Sequence, residues 1–432
     1  MNEIKELFRR FVVFILTLEA KAVLRKYHPK VVLVTGSVGK TITKDSVYTA
    51  LASSFFVRKS EKSFNSDIGV PLTILGVPNG WSNPFRWIKN IIEGFFLLVM
   101  HAPYPKWLVM EIGADRPGDI SRSLVWLKPD VVVATRFPDV SVHVEFYASP
   151  EAVIEEELAA SRWLTDGGVF VANADDPRAK SAKTRDGVTR ITYGFAKDSS
   201  VRGMRFHLNS TQKMPSGVSF DAVYQNERAH VSLDTVLGEQ HASAALAGIA
   251  AAIGVGIPLA KAAEVFSKHD SPSGRMHLIA GMRGSVIIDD TYNASPAAVE
   301  KALETLKEVP RMGKRIALLA DMLELGAYSV EEHARIGRLA AECADALITV
   351  GIRARGIASA AREAGMPGDS VFECERGADA ASQAISLIGE GDVVLVKGSQ
   401  SMRMERVVKS LMARPEHAKD LLVRQETEWS IR

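Results

Sequence analysis

Residues 31–47 read VVLVTGSVGKTITKDSV: an apolar, β-branched run, a glycine-rich turn, then Gly39-Lys40-Thr41 and a segment of helical character. An apolar strand that breaks at glycine straight into a helix narrows the fold sharply. The strand has to be covered on both faces and the helix has to pack beside it, which is the unit of a parallel α/β sheet. The same turn is a phosphate cradle. Its backbone N–H groups and the helix N-terminus face an anion, Lys40 reaches the outer phosphates, and the Thr41 hydroxyl is placed to ligate magnesium. The longer form of the motif has a glycine where Val34 stands, so the chain carries the shorter form, TGSVGKT. Gly36, Ser37, Val38, Gly39, Lys40, Thr41 and Thr43 make up the candidate nucleotide-binding set.

The alternation continues along the chain. Val31–Thr35, Trp107–Met110, Val131–Thr135 and Val169–Ala172 read as strands buried on both faces. Helical segments lie between them, among them SPEAVIEEELAASRWL, with Ser149 as N-cap and Pro150 in the first turn. The run ending in Glu111 puts a carboxylate at the carboxyl edge of the sheet, where the phosphate turn also opens and where a magnesium ligand belongs. Residues 200–236 alternate instead, as in GVSFDAVYQ, and suggest a small antiparallel insertion; the Ala-rich helix HASAALAGIAAAIGVGI follows. Turn formers gather at SPSGRM, and a second strand–helix series then begins with GSVIIDD, RIALLAD, ALITVG and DVVLVKG. We therefore expect a helix over 1–29, one domain over 30–273 and another over 274–432. A chain of 432 residues is in any case too long for a single core.

Composition closes off several functional classes. A formal charge of +2 excludes a surface built to coat nucleic acid, and the two cysteines, Cys343 and Cys374, have no metal-ligand spacing. Such sparing use of cysteine fits a reducing cytoplasm. The N-terminal MNEIKELFRRFVVFILTLEAKA imitates a signal peptide, but Leu7, Phe11, Ile15, Leu18 and Ala22 fall at helical spacing, and Glu3, Glu6 and Glu19 are foreign to one. Neither this run nor WIKNIIEGFFLLVM (87–100) has the roughly 20 apolar residues that span a bilayer. Both read as helices packed on the body, with a peripheral membrane contact as the lesser alternative.

Eight motifs occur in order across residues 31–410: TGSVGKTITK, FNSDIGVPLTIL, MEIGADRPGDI, NADD, GRM, IDDTYNASP, LADMLELG and VKGSQSMRMERVV. In that order they resemble the Mur ligase family, the ATP-dependent amide-forming enzymes of peptidoglycan precursor synthesis, and most of all its D-alanyl-D-alanine-adding branch. The resemblance implies an α/β chain with a central P-loop ATPase domain, a mostly parallel sheet and a C-terminal Rossmann-like domain, the active site lying in the cleft between. It implies ATP and Mg2+ as cofactors and small-molecule partners, UDP-muramoyl-peptide and D-alanyl-D-alanine; a monomer needs no further assumption. Carried over residue by residue, Lys40 binds phosphates, Thr41 and Glu111 hold one magnesium, and His143 belongs at a second metal. Arg275, Asp290 and Asn293 contact ATP. Asn65, Asp321, Glu324, Lys397 and Ser399 line the substrates.

The chain also departs from the family pattern. Where relatives carry a carbamylated lysine this sequence has Glu157, which is expected to supply a carboxylate directly and joins Lys40, Glu111 and His143 in the candidate catalytic set; a solvated acidic helix face is the competing reading. Relatives also place a uridine-nucleotide-binding domain before the phosphate turn, where about thirty residues stand here, too few for an independent domain. That leaves the carboxylate substrate open. A folylpolyglutamate- or cyanophycin-type ligase and a non-catalytic nucleotide-binding scaffold are the other readings.

Overall fold

The structure, a computed structural model, describes residues 2–61, 67–426 and 429. Its first sheet has nine strands: β1 (Lys30–Thr35), β2 (Val57–Lys59), β3 (Trp107–Glu111), β4 (Val131–Ala134), β5 (Val169–Asn173), β6 (Thr189–Gly194), β7 (Val201–Thr211), β8 (Met214–Tyr224) and β9 (Glu227–Asp234). Their order is β2-β3-β1-β4-β5-β6-β7-β8-β9. All neighbours from β2 to β7 run parallel, and β8 and β9 add antiparallel. Residues 201–234 are thus the far edge of the main sheet. They are antiparallel, as expected from the sequence, but they continue the main sheet, because Tyr193 and Gly194 of β6 pair with Val201 and Arg202 of β7 and carry it onward.

Both faces of the sheet are covered, as the unalternating strands require. Val32, Val34 and Val133 pack on one side with α2 (Lys40–Ala52) and the helix Glu239–Gly254; Leu33, Met110 and Val132 pack on the other. The second side is roofed by α1 (Asn2–Tyr27), α3 (Gly69–Leu75) and α4 (Pro84–Val99). Helix α1 buries Val12, Leu16, Ala20 and Val23, at intervals of four, four and three. Its C-terminal end locks α4: the Lys26 ammonium donates to the carbonyls of Leu97 (2.9 Å), Leu98 (3.0 Å) and Met100 (2.6 Å), and the Tyr27 hydroxyl donates to Leu97 (3.0 Å). A cation on the last carbonyls of a helix both satisfies them and complements the helix dipole. Where the two helices meet, Glu19 is 9% exposed and a Cβ on Gly94 would come within 2.3 Å of its carboxylate. Glu19 Oε2 has no hydrogen-bond partner, and burial pushes the pKa up to about 7. Among the described residues no helix is long and apolar enough to cross a membrane.

The second sheet has six strands: β10 (His277–Ala280), β11 (Val286–Asp290), β12 (Arg315–Ala320), β13 (Ala346–Val350), β14 (Val371–Cys374) and β15 (Val393–Lys397). Their order is β10-β11-β15-β12-β13-β14, with only β10 antiparallel. The four strands read from sequence form its buried middle, while β10 and β14 are four-residue edges whose partial exposure hides them from an apolar-run search.

Candidate active site

In the first sheet β1 has β3 on one side and β4 on the other, a reversal of strand order that leaves a crevice beyond the carboxyl ends. The phosphate turn sits there. Its glycines are obligatory: Gly36 has φ 125° and a Cβ would lie 2.1 Å from Thr135 Oγ1, while Gly39, at φ 88°, caps α2 in a left-handed conformation. The amides of Ser37 and Val38 both donate to the Arg136 carbonyl (2.9 and 3.2 Å), which leaves anion binding to the start of α2 and to Lys40. The Lys40 ammonium donates to the Gly36 carbonyl and lies 3.5 Å from Glu157.

Glu157 comes from the helix Pro150–Leu158, which begins as the sequence suggests, with Ser149 Oγ accepting from the Ala152 amide at 3.4 Å. Glu157 is 4% exposed and accepts from Ser37 Oγ at 2.5 Å; Ser141 donates in turn to Ser37 (2.9 Å). The solvated-face reading is thereby excluded for Glu157: the carboxylate is buried beneath the phosphate turn. Glu111, paired in register with Val34, is 1% exposed, and its Oε2 lacks a hydrogen-bond partner although the residue borders the cleft. A buried carboxylate oxygen without a hydrogen-bond partner, on a cavity that Thr41 also lines, suits a hard divalent cation.

The second sheet contributes from its own carboxyl ends. Lys397, 2% exposed, donates to Asp290 Oδ2 (2.5 Å) and to the Asn293 carbonyl (2.9 Å); Asn293 Oδ1 accepts from the Gln400 amide (3.3 Å). Ser399 Oγ accepts from the Leu323 amide (2.9 Å). Side-chain contacts in the cleft join the residues around the first sheet to those around the second. Arg275 donates to Thr41 Oγ1 at 2.8 Å while stacking 4.1 Å over the Tyr292 ring, and His143 Nδ1 meets Glu324 Oε2 at 2.8 Å. Burial acts to lower the His143 pKa, but the hydrogen bond and charge of Glu324, with Asp115, override it and raise the value; the same bond draws Glu324 down. His143 and Glu324 both adopt left-handed backbone, at φ 68° and 63°, so each loop is held out of its relaxed conformation to present its side chain.

These groups surround one cavity of about 840 Å³. It brings together Ser37, Val38, Gly39, Lys40, Thr41, Thr43, Glu111, His143, Arg275, Asp290, Asn293, Glu324, Lys397 and Ser399. Gly36 shapes the turn from behind, and Glu157 reaches the cavity through Lys40 and Ser37. Asp321 lies away from it: its carboxylate accepts the Ala354 amide (2.7 Å) and packs on Gly351, so it braces the loop after β13 instead of lining a substrate. Asn65 lies outside the described residues. Sequence reasoning missed Tyr292, Asn173 and Lys301, which also border the cavity. Tyr292 and Asn173 stand inside quoted motifs, but only the fold shows that they face the cleft. The chain at Arg275 is held by His241, 2% exposed, whose pKa burial lowers to about 3; the neutral ring donates from Nε2 to the Arg275 carbonyl (2.8 Å).

Two sheets sharing one cleft, with a phosphate-binding turn on its wall, define an ATP-cleft protein of a recognisable class, and the chain belongs to the Mur ligase family. The Mur ligase middle domain matches residues 94–252, and the Mur ligase glutamate ligase domain matches residues 274–400. It is similar to the UDP-N-acetylmuramoyl-tripeptide–D-alanyl-D-alanine ligase of Bacillus subtilis, at 28% identity over 92% of this chain and 79% of the relative. The enzyme of the same name from Escherichia coli is 26% identical over 88% of this chain and 76% of its own length. The crystal structure of MurF ligase from Thermotoga maritima in complex with ADP superposes with TM-score 0.74 at 21% identity, over 95% of this chain and 84% of that one.

Proposed function

We propose that this chain is an ATP-dependent, ADP-forming ligase that joins D-alanyl-D-alanine to a UDP-muramoyl-tripeptide through an acyl phosphate. The observation that carries the reading is the convergence, in one cavity, of Lys40, Thr41 and Glu111 from the first sheet with Asp290, Asn293 and Lys397 from the second. Relatives similar over about nine-tenths of this chain carry that activity in their names. Folylpolyglutamate-type and scaffold readings have no comparable support.

In the reaction a substrate carboxylate oxygen attacks the γ-phosphorus of ATP and ADP leaves. The amine then attacks the acyl carbon, and phosphate leaves. No protein nucleophile is required, so the residues act by positioning and by charge. Lys40 and the N-terminus of α2 hold the phosphates, and the Arg275 guanidinium, 4.1 Å over the Tyr292 ring, faces the nucleotide across the cleft. Asp290, Asn293 and Lys397 form a fixed polar wall opposite. Thr41 and Glu111 would hold Mg2+, with His143 at a second ion, and the metal supplies charge neutralisation of the phosphates. Glu157 provides a built-in carboxylate beside Lys40, the role that a carbamylated lysine has in relatives. The work belongs in the cytoplasm, where ATP is.

The test is phosphate release from MgATP with UDP-muramoyl-tripeptide and D-alanyl-D-alanine, separately and together, with the product followed by mass. Release that requires both, with an amide product, is expected. ATP binding without release or product under any combination would overturn the reading. For Glu157, the alanine variant is expected to lose at least about 100-fold in turnover and to regain part of it with added short-chain carboxylates. An unchanged rate would remove its role.

A further inference from the structure

The roof of the first sheet is apolar on both sides. Of the twenty large hydrophobic residues that stand exposed among the described residues, twelve lie within 7–18 and 85–100. On α1 the exposed Leu7, Phe11, Phe14 and Leu18 are spaced by four, three and four, a stripe separate from the buried one that packs on the body. On α4 Phe85, Ile88, Ile92, Phe95 and Val99 repeat by three, four, three and four. Each is between 47% and 80% exposed, whereas a monomer usually keeps contiguous apolar patches to a few hundred Å².

Charge says what covers this face. Helices α1 and α4 carry eight basic and four acidic residues, an excess larger than the +2 of the entire chain, so the rest of the protein is net negative. One of the four acids is the buried Glu19, and Glu93 is shared between Arg86 (2.8 Å) and Lys89 (3.8 Å). A second copy would bring the same positive excess against itself. An anionic surface is complementary, and phenylalanine-rich helices with basic flanks are suited to lie in the headgroup plane of a bilayer. The platform is also rigid, since Lys26 and Tyr27 fasten the end of α4 to α1 and Asn83 caps its beginning by accepting from the Arg86 amide (3.2 Å).

We propose that the joint face of α1 and α4 is a peripheral docking surface for an anionic lipid bilayer, holding the protein at the membrane without crossing it. The proposal is independent of the catalytic reading. The experiment is co-sedimentation of the full chain with vesicles of phosphatidylethanolamine and phosphatidylglycerol (7:3), with pure phosphatidylcholine as control. A partition at least tenfold higher on the anionic vesicles, weakened by salt, is expected. The double variant Phe95→Ser/Phe96→Ser and the single Phe11→Ser should each reduce it at least tenfold with circular dichroism and melting unchanged, because the replaced rings are half exposed. Chain that stays in the supernatant overturns the proposal, as does partition that the variants leave unchanged. A salt-resistant dimer that the same substitutions dissociate also overturns it, since a second copy would then cover the face.

Discussion

The substitution Glu19→Gln isolates the energetic consequence of burying a carboxyl group between α1 and α4. In the folded protein burial raises its pKa from the ordinary 4.5 to about 7. A raised acid pKa means that the folded state holds a proton the unfolded chain would release. Its contribution is complete below pH 4.5 and is lost as pH climbs through 7. At 1.36 kcal/mol per pH unit the gap corresponds to at most about 3 kcal/mol. For a domain of this size that is roughly 6–12 °C in Tm. The glutamine amide does not titrate, so the difference in Tm between the variant and the parent should drift in favour of the variant between about pH 5 and pH 8. Taking the difference cancels the histidines, which both proteins share. Differential scanning calorimetry at half-unit pH steps reads it directly, and a difference constant across that range would refute the reasoning.

Gly36→Ala sets a Cβ against Thr135 Oγ1 in a backbone region closed to alanine, and is expected to abolish ATP binding by calorimetric titration; binding within threefold of the parent would show that the turn relaxes freely. Glu111→Gln keeps shape and removes charge at a buried position bordering the cleft. Tm in the absence of nucleotide should move by less than about 2 °C while turnover falls at least about 100-fold; equal turnover would exclude Glu111 as a cation ligand. Lys397→Met leaves the partly buried Asp290 carboxylate without its partner, and both stability and turnover should fall, the former by about 1–3 kcal/mol in urea unfolding; no loss of stability would mean that the pair is not a support of the second sheet.

What the sequence makes legible is local. Val31–Thr35, the glycine turn and Lys40 declare strand, cradle and helix together because φ, burial and phosphate chemistry all constrain the same dozen residues. Glu111 is readable because a carboxylate ends a buried strand. Distance in sequence defeats the rest. Arg275 meets Thr41 and His143 meets Glu324 only when two sheets dock, and no periodicity encodes that. Asp321 fails for a related reason: its acidic motif resembles a substrate wall, but a backbone amide thirty-three residues on claims the carboxylate. The short edges β10 and β14 lack the long apolar run that marks a central strand.

Division of the site between two sheets has a consequence for how the protein is made. Translation delivers the phosphate turn, Glu111 and Glu157 first, and domains generally fold as they emerge. Lys397 follows about 240 residues later, which at ordinary elongation rates is on the order of 10–50 s. For that interval a nascent chain on the ribosome presents the phosphate turn without Asp290, Asn293 and Lys397, the residues of the second sheet that face it across the cleft.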